Sequence, residues 1–232
     1  MKTHAVKECL PWLCGIFFFL SITASNTWAA DLVHDDFNGS TLDPIWRLHQ
    51  GYADVQGGWV TLWGSTPGTR GGYIVTGEGT AWSDYHVSTR FIAEGGGSLC
   101  VEGPPCAWYV AIVKVRVQIL RGDNRGTYYE VYMWSPPSEA TTHRGAGISI
   151  VKVVNDEVSV VREDLAPAGV INDYDNKLDI KVIGPRIQVW ASDQLITDYT
   201  DQTANPIMTG GVSLGALWES TTRYDYLYVQ KK

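Results

Sequence analysis

The chain has 232 residues, of which 44% are hydrophobic, 12% aromatic and 19% charged, a balance that excludes both a disordered tail and a membrane channel. Lys and Arg number 18 against 25 Asp and Glu, a net charge of −7, so no basic surface exists to neutralise phosphates and nucleic acid is excluded as a partner class. Twenty-four Gly, ten Pro and ten Trp point to a turn-rich, all-β protein that displays aromatic rings.

At the N-terminus, Lys2 and Lys7 precede an apolar run from Leu10 to Ala24, and a polar stretch then closes on Ala29 and Ala30. This is the pattern of a secretory signal peptide over residues 1–30. The run is shorter than the roughly 20 residues a spanning helix needs, and no second run follows. The product is expected to be secreted or periplasmic, and not membrane-embedded after cleavage near Asp31. Lipidation at Cys14 is disfavoured, because Leu-Cys-Gly lacks the small residues expected before a lipidated Cys. Cys100 and Cys106 remain in the mature chain, around Val-Glu-Gly-Pro-Pro. An oxidising compartment makes a loop-closing disulfide their natural state, and two thiols without a neighbouring His or second Cys pair cannot fill a tetrahedral zinc shell.

From Asp31 onward no window sustains a 3.6-residue period, whereas period-two alternation recurs between turn residues. Strands are expected at Trp59 to Trp63 and Tyr85 to Glu94. Next comes Tyr109 to Ile119, where Val113, Val115, Val117 and Ile119 are expected on a core face and Lys114, Arg116 and Gln118 on a wet one. Further strands are expected at Tyr128 to Trp134, Ile148 to Val153, Val158 to Arg162, Leu178 to Ile183, Ile187 to Ala191, Val212 to Leu217 and Tyr224 to Gln230. Asn155-Asp156, Gly184-Pro185 and Ser192-Asp193 punctuate them. So many short strands in one chain predict a single domain over residues 31–232, a two-sheet antiparallel β-sandwich of jelly-roll type.

The segment Asp35-Asp36-Phe37-Asn38-Gly39-Ser40-Thr41-Leu42-Asp43-Pro44-Ile45-Trp46 resembles the opening of the concanavalin A-like lectin/glucanase superfamily, which includes laminin G-like modules and family 16 glycoside hydrolases. Tyr224-Asp225-Tyr226-Leu227-Tyr228-Val229 resembles the last strand of that fold, and Ile187 to Ile196 its penultimate hairpin, with Gln194 where a Gly is usual. The resemblance implies a structural Ca2+ held by Asp36, Asp225 and a carbonyl at Gly57 or Gly58, since calcium favours such oxygen ligands. Turn aspartates that need no ion account for the same residues.

Family 16 hydrolases carry a Glu-x-Asp-x-(x)-Glu signature that is missing here. Its nearest counterpart, Tyr128 to Trp134, offers one carboxylate, Glu130, and glycoside hydrolysis requires two. Polyuronate lyase chemistry is the more credible enzymatic alternative, because it needs a base beside groups that stabilise an enolate. His86, Arg90, Arg116, Gln118 and Tyr132 supply those types, although an ordinary solvated sheet face shows the same alternation. No Gly-x-Ser-x-Gly elbow and no phosphate-cradling loop occur.

Sugars stack on Trp and Tyr through their C–H faces while their hydroxyls bond polar side chains. Tyr128, Tyr132 and Trp134 form the leading candidate platform, with Glu130, Arg90 and Arg116 as polar partners. Trp108, Trp190 and Trp218 are further candidates, while Trp46, Trp59, Trp63 and Trp82 are expected to fill the core or clasp its ends. The resulting expectation is a carbohydrate-binding, lectin-like domain for a polysaccharide or glycan. A polysaccharide-active enzyme and a protein-binding adhesion module are the alternatives.

Overall fold

The computed structural model describes residues 30–64, 71–94, 109–122, 125–135, 145–171, 175–216 and 220–232. The expected signal peptide, the Cys100–Cys106 bridge, Trp108 and Trp218 lie outside the described residues. Those residues form fifteen strands and no helix. In chain order they are β1 (Asp31–Asp35), β2 (Arg47–Gln50), β3 (Tyr52–Gln56), β4 (Trp59–Trp63), β5 (Gly72–Thr76), β6 (Tyr85–Glu94), β7 (Tyr109–Gly122) and β8 (Arg125–Ser135). Then follow β9 (Gly147–Val154), β10 (Glu157–Leu165), β11 (Asn176–Ile183), β12 (Arg186–Ala191), β13 (Gln194–Thr200), β14 (Gly211–Ala216) and β15 (Thr221–Lys231).

Two antiparallel sheets face each other, as in a jelly roll. The first has the order β13-β12-β11-β6-β15-β4-β3, with β1 also paired to β15, and the second the order β10-β9-β8-β7-β14-β5-β2. Tight hairpins set much of this register. Gly57-Gly58, Asn155-Asp156 and Ser192-Asp193 each have two consecutive positive φ values, the geometry whose twist matches that of paired strands. Asn and Asp tolerate it through local hydrogen bonds, and the two glycines adopt it without a Cβ clash.

The main core lies between the sheets. Val87, Phe91, Ile180, Val189, Leu227 and Val229 of the first meet Val113, Val115, Val131, Ile150 and Leu214 of the second, all buried. Each large apolar side chain so enclosed contributes about 1.5–3 kcal/mol. Two core tyrosines bridge the sheets: Tyr224 Oη donates to the Gly215 carbonyl at 2.6 Å, and Tyr85 Oη accepts from the Arg116 amide at 2.6 Å. A polar network joins them in the interior, where Asp201 accepts from Lys152 Nζ at 2.7 Å and from the Tyr129 hydroxyl.

The opening motif has its own clasp. Asp35 accepts from the Phe37 amide at 2.8 Å and from Trp46 Nε1 at 2.7 Å, which folds the polar turn back and buries both rings.

The expected apolar stripe on β7 is corrected by a bulge. Pairing with β8 shifts between Val115 and Ile119, and Arg116 takes a φ of +53°. Against β14, where Val212 faces Val115 and Gly211 faces Val117, β7 carries one extra residue, which reverses the side-chain parity between Val115 and Val117. Val113 and Val115 therefore enter the main core, Val117 joins a separate outer cluster, and Ile119 is 42% exposed. Strand β5 has no alternation to read, because both of its faces are covered and all five residues are buried.

Candidate functional site

The outer face of the second sheet is not the wet surface that alternation predicts. Tyr73, Val75, Ile112, Val117, Leu120, Tyr128, Trp134, Val151 and Val153 form a second buried cluster there. Gly215 has no room for a Cβ because the Tyr73 ring lies against it. At the centre, Lys114 of β7 sits directly across from Glu130 of β8, with Nζ 2.7 Å from Oε1 and neither side chain exposed. The ammonium also lies 4.4 Å from the Tyr73 ring centroid and 4.2 Å from that of Tyr128. Two aromatic faces thus complement a cation that burial would otherwise penalise.

Tyr128, Glu130, Tyr132 and Trp134 share this face, but they are not equally available. Tyr128 and Glu130 are sealed, which corrects the open platform expected from sequence. What stays accessible is a groove of about 360 Å³ along β8, β9 and β10. The half-buried Tyr132 and the 8% exposed rim of Trp134 form its aromatic side, and Val158 and Val160 of the edge strand β10 form the opposite one. Ser149 and Glu163 add a hydroxyl and a carboxylate, and Trp134 Nε1 donates to Ser149 Oγ at 3.1 Å. Val158 and Val160 are 48% and 64% exposed, because β10 has a neighbour on only one side.

The residues nominated for lyase chemistry are not brought together. His86 and Arg90 project from the outer face of the first sheet, where alternate residues Val87 and Phe91 point into the core. Arg90 is held by both oxygens of Asp175 at 2.8 and 2.6 Å and by Asp225 at 2.9 Å, and these carboxylates push its pKa further up. Arg116 is fully buried and donates to the carbonyls of Ile207 at 2.7 Å and Ser83 at 3.3 Å, so it clasps two chain segments. Gln118 follows the bulge and is half-buried, while Tyr132 lies on the other sheet, in the groove. Strand parity tells which residues share a face but not which sheet a strand joins, and here the five residues divide between two sheets.

The expected calcium ligands have other partners. Asp36 accepts from the Tyr228 hydroxyl at 2.5 Å and lies 3.3 Å from His34 Nε2, and these contacts hold its carboxyl below the usual range. Asp225 is engaged by Arg90, and Gly58 occupies the β3–β4 turn beside Asn38. Among the described residues no group of three or more His, Cys, Asp or Glu could hold a metal ion. No calcium site is evident there: the Asp36 and Asp225 carboxylates are met by a hydroxyl and a guanidinium.

A second concavity, of about 240 Å³, opens on the first sheet, where His86, Lys177, Asp179, Lys181, Trp190 and Asp193 meet. His86 Nε2 is 2.8 Å from Asp179, and Lys177 reaches Asp179 at 3.2 Å and Asp193 at 2.6 Å. Burial raises the pKa of Asp179, but hydrogen bonds from His86, Ser88 and Lys177 outweigh it and hold the group ionised below the ordinary range. Lys114, expected on a wet face, is buried against Glu130, although opposite charges facing each other across two strands are a usable pairing signal. Sequence reading passed over Lys177, Asp179 and Lys181, whose alternation along β11 was visible but whose neighbours were not.

A two-sheet sandwich with a groove on one outer sheet face defines a concanavalin A-like jelly roll. More narrowly, the family model described as the 3-keto-alpha-glucoside-1,2-lyase-like domain matches residues 33–230, and the chain belongs to that family. No curated protein matches the sequence. Solved structures agree on the fold. The carbohydrate binding module CBM66 from Bacillus subtilis is 15% identical with a TM-score of 0.55, covering 81% of this chain and 96% of that one. The Ca2+/Man3GlcNAc-bound VIP36 exoplasmic/lumenal domain is 16% identical with a TM-score of 0.56, covering 85% and 86%. LamAcat from Zobellia galactanivorans is 10% identical with a TM-score of 0.57, covering 89% and 98%. No helix among the described residues is long and apolar enough to cross a membrane.

Proposed function

We propose that this protein is an exported carbohydrate-binding domain that holds a segment of a glycan in the groove on its second sheet. The observation that carries this reading is the lining of that groove, which joins the rings of Tyr132 and Trp134 to the Ser149 hydroxyl and the Glu163 carboxylate. Aromatic faces next to hydroxyl-bonding groups suit a pyranose, which is apolar on its faces and polar at its rim. Membership of a family described by a glucoside-directed activity supports a saccharide ligand, as do neighbours of the same fold that are themselves a carbohydrate binding module and a glycan-bound lumenal domain. A glycan array followed by titration of Trp emission tests it. Trp134→Ala is expected to weaken binding at least tenfold, and undiminished affinity would reject the groove.

Elimination chemistry is the second reading, favoured by the family match over residues 33–230. Removing a proton next to a carbonyl needs a base beside a cation that stabilises the enolate. Glu130 and Lys114 are such a pair, but they are sealed beneath Tyr128 and Tyr73, so binding is the reading the geometry supports best. Release of the aglycone from a 3-ketoglucoside, lost in Glu130→Gln, would favour the enzyme.

A further inference from the structure

We propose that the outer face of the first sheet is a second saccharide-binding track, separate from the groove and sized for three sugar rings. The register places Tyr228 of β15 across from Ser88 of β6, Ser88 across from Asp179 of β11, and Asp179 across from Trp190 of β12. These four residues form one transverse row on the face opposite the core, since their neighbours Val87, Leu178, Ile180, Val189, Leu227 and Val229 all point inward.

Three strand steps separate the two aromatic ends by about 14 Å, the length of a trisaccharide. At one end Tyr226 and Tyr228 stack on each other, with centroids 4.5 Å apart and 18° between planes, and His34 tilts against Tyr228 at 4.4 Å and 53°, so that three rings form one cluster. At the other end Trp190 is half-buried and sits under the Lys181 ammonium, 4.2 Å from its ring. Trp190 also lines the 240 Å³ concavity, which adds a carboxylate acceptor, Asp179, and the ammonium donors of Lys177 and Lys181 on the side of the row nearer the indole. A chain laid across the strands would rest one terminal ring against the Tyr226–Tyr228–His34 cluster and the other on Trp190. Its middle hydroxyls would meet Asp179, while Lys181 exchanges the indole face for a ring oxygen. Neither end of this row draws on Tyr132 or Trp134, which belong to the other sheet.

The test uses the Trp134→Ala protein, so that the groove is disabled, with 15N-labelled tryptophan and the Trp190 indole resonance assigned by Trp190→Phe. Cellotriose, laminaritriose, maltotriose and trigalacturonate are titrated in turn. A saturable shift of the Trp190 resonance with at least one of them, weakened fivefold or more by Tyr228→Ala, is the expected result. No saturable shift with any of the four, or a shift that Tyr228→Ala leaves unchanged, overturns the track. The unsubstituted protein separates the two sites: a response at Trp134 alone upholds the groove and removes the track, and a response at Trp190 alone does the reverse.

Discussion

Lys114→Met tests whether the outer face of the second sheet is closed. The Lys114 ammonium and the Glu130 carboxylate are 2.7 Å apart with no exposed surface on either side chain. Removing one member of such a pair strands the other charge in a low-dielectric setting and costs about 3–5 kcal/mol. For a domain of this size each kcal/mol lowers the melting temperature by about 2–4 °C, so the variant should melt roughly 6–20 °C below the parent. Glu130→Leu should cost a comparable amount, for the same reason. The double variant Lys114→Met/Glu130→Leu should lose less than either single change, because an apolar pair of similar volume carries no desolvation penalty. Urea denaturation of all four proteins completes the cycle. Single-variant losses under about 1 kcal/mol, the range of a water-screened surface pair, would show that solvent reaches the pair and that the Tyr128 ring is open to ligand after all. Strictly additive losses would show that the two groups do not act as a unit.

Two further outcomes follow from groups outside the groove. Burial raises the pKa of Asp201, but donation from Lys152, Tyr129 and Thr203 outweighs it and holds the carboxyl far below its usual range. A depressed folded-state pKa contributes stability above the unfolded value of about 3.9 and loses it as the pH falls toward the folded value. The deficit of Asp201→Asn in urea should therefore be constant from pH 7 to 5 and shrink below pH 4, and a deficit unchanged down to pH 2 would contradict this. Melting in millimolar Ca2+ and in chelator should coincide, since Tyr228 and His34 engage Asp36 and Arg90 engages Asp225. A calcium-dependent rise in melting temperature would mean that these carboxylates exchange their partners for the ion.

The strands that alternate were legible. Trp59–Trp63 and Tyr85–Glu94 are observed at their expected bounds, and most segments from Tyr109 onward extend by a few residues because β-pairing continues past the apolar run; the segment expected at Val212 to Leu217 is observed as Gly211–Ala216, with Leu217 outside the described residues. The strands β1, β2, β3 and β5 were not, because β1, β2 and β3 each fully bury no more than one residue, too few to mark a period, and β5 has no exposed face at all. The grouping of Lys114, Arg116 and Gln118 on one face failed at a single residue, the bulged Arg116, whose positive φ nothing in its side chain announces.

Composition, period-two patterning and turn residues alone determined that this is an antiparallel sandwich and that Tyr128, Glu130, Tyr132 and Trp134 lie on one side of their strand, since pleating is a property of the local backbone. Only the tertiary structure decided which sheet each strand joined and what covered its far side. It sealed Tyr128 and Glu130 while leaving Tyr132 beside an open groove, and it set His86 and Arg90 on the opposite sheet from Tyr132. Those outcomes depend on pairings between residues far apart in the chain, as Ser88 with both Asp179 and Tyr228 illustrates, and no periodicity within a segment encodes them.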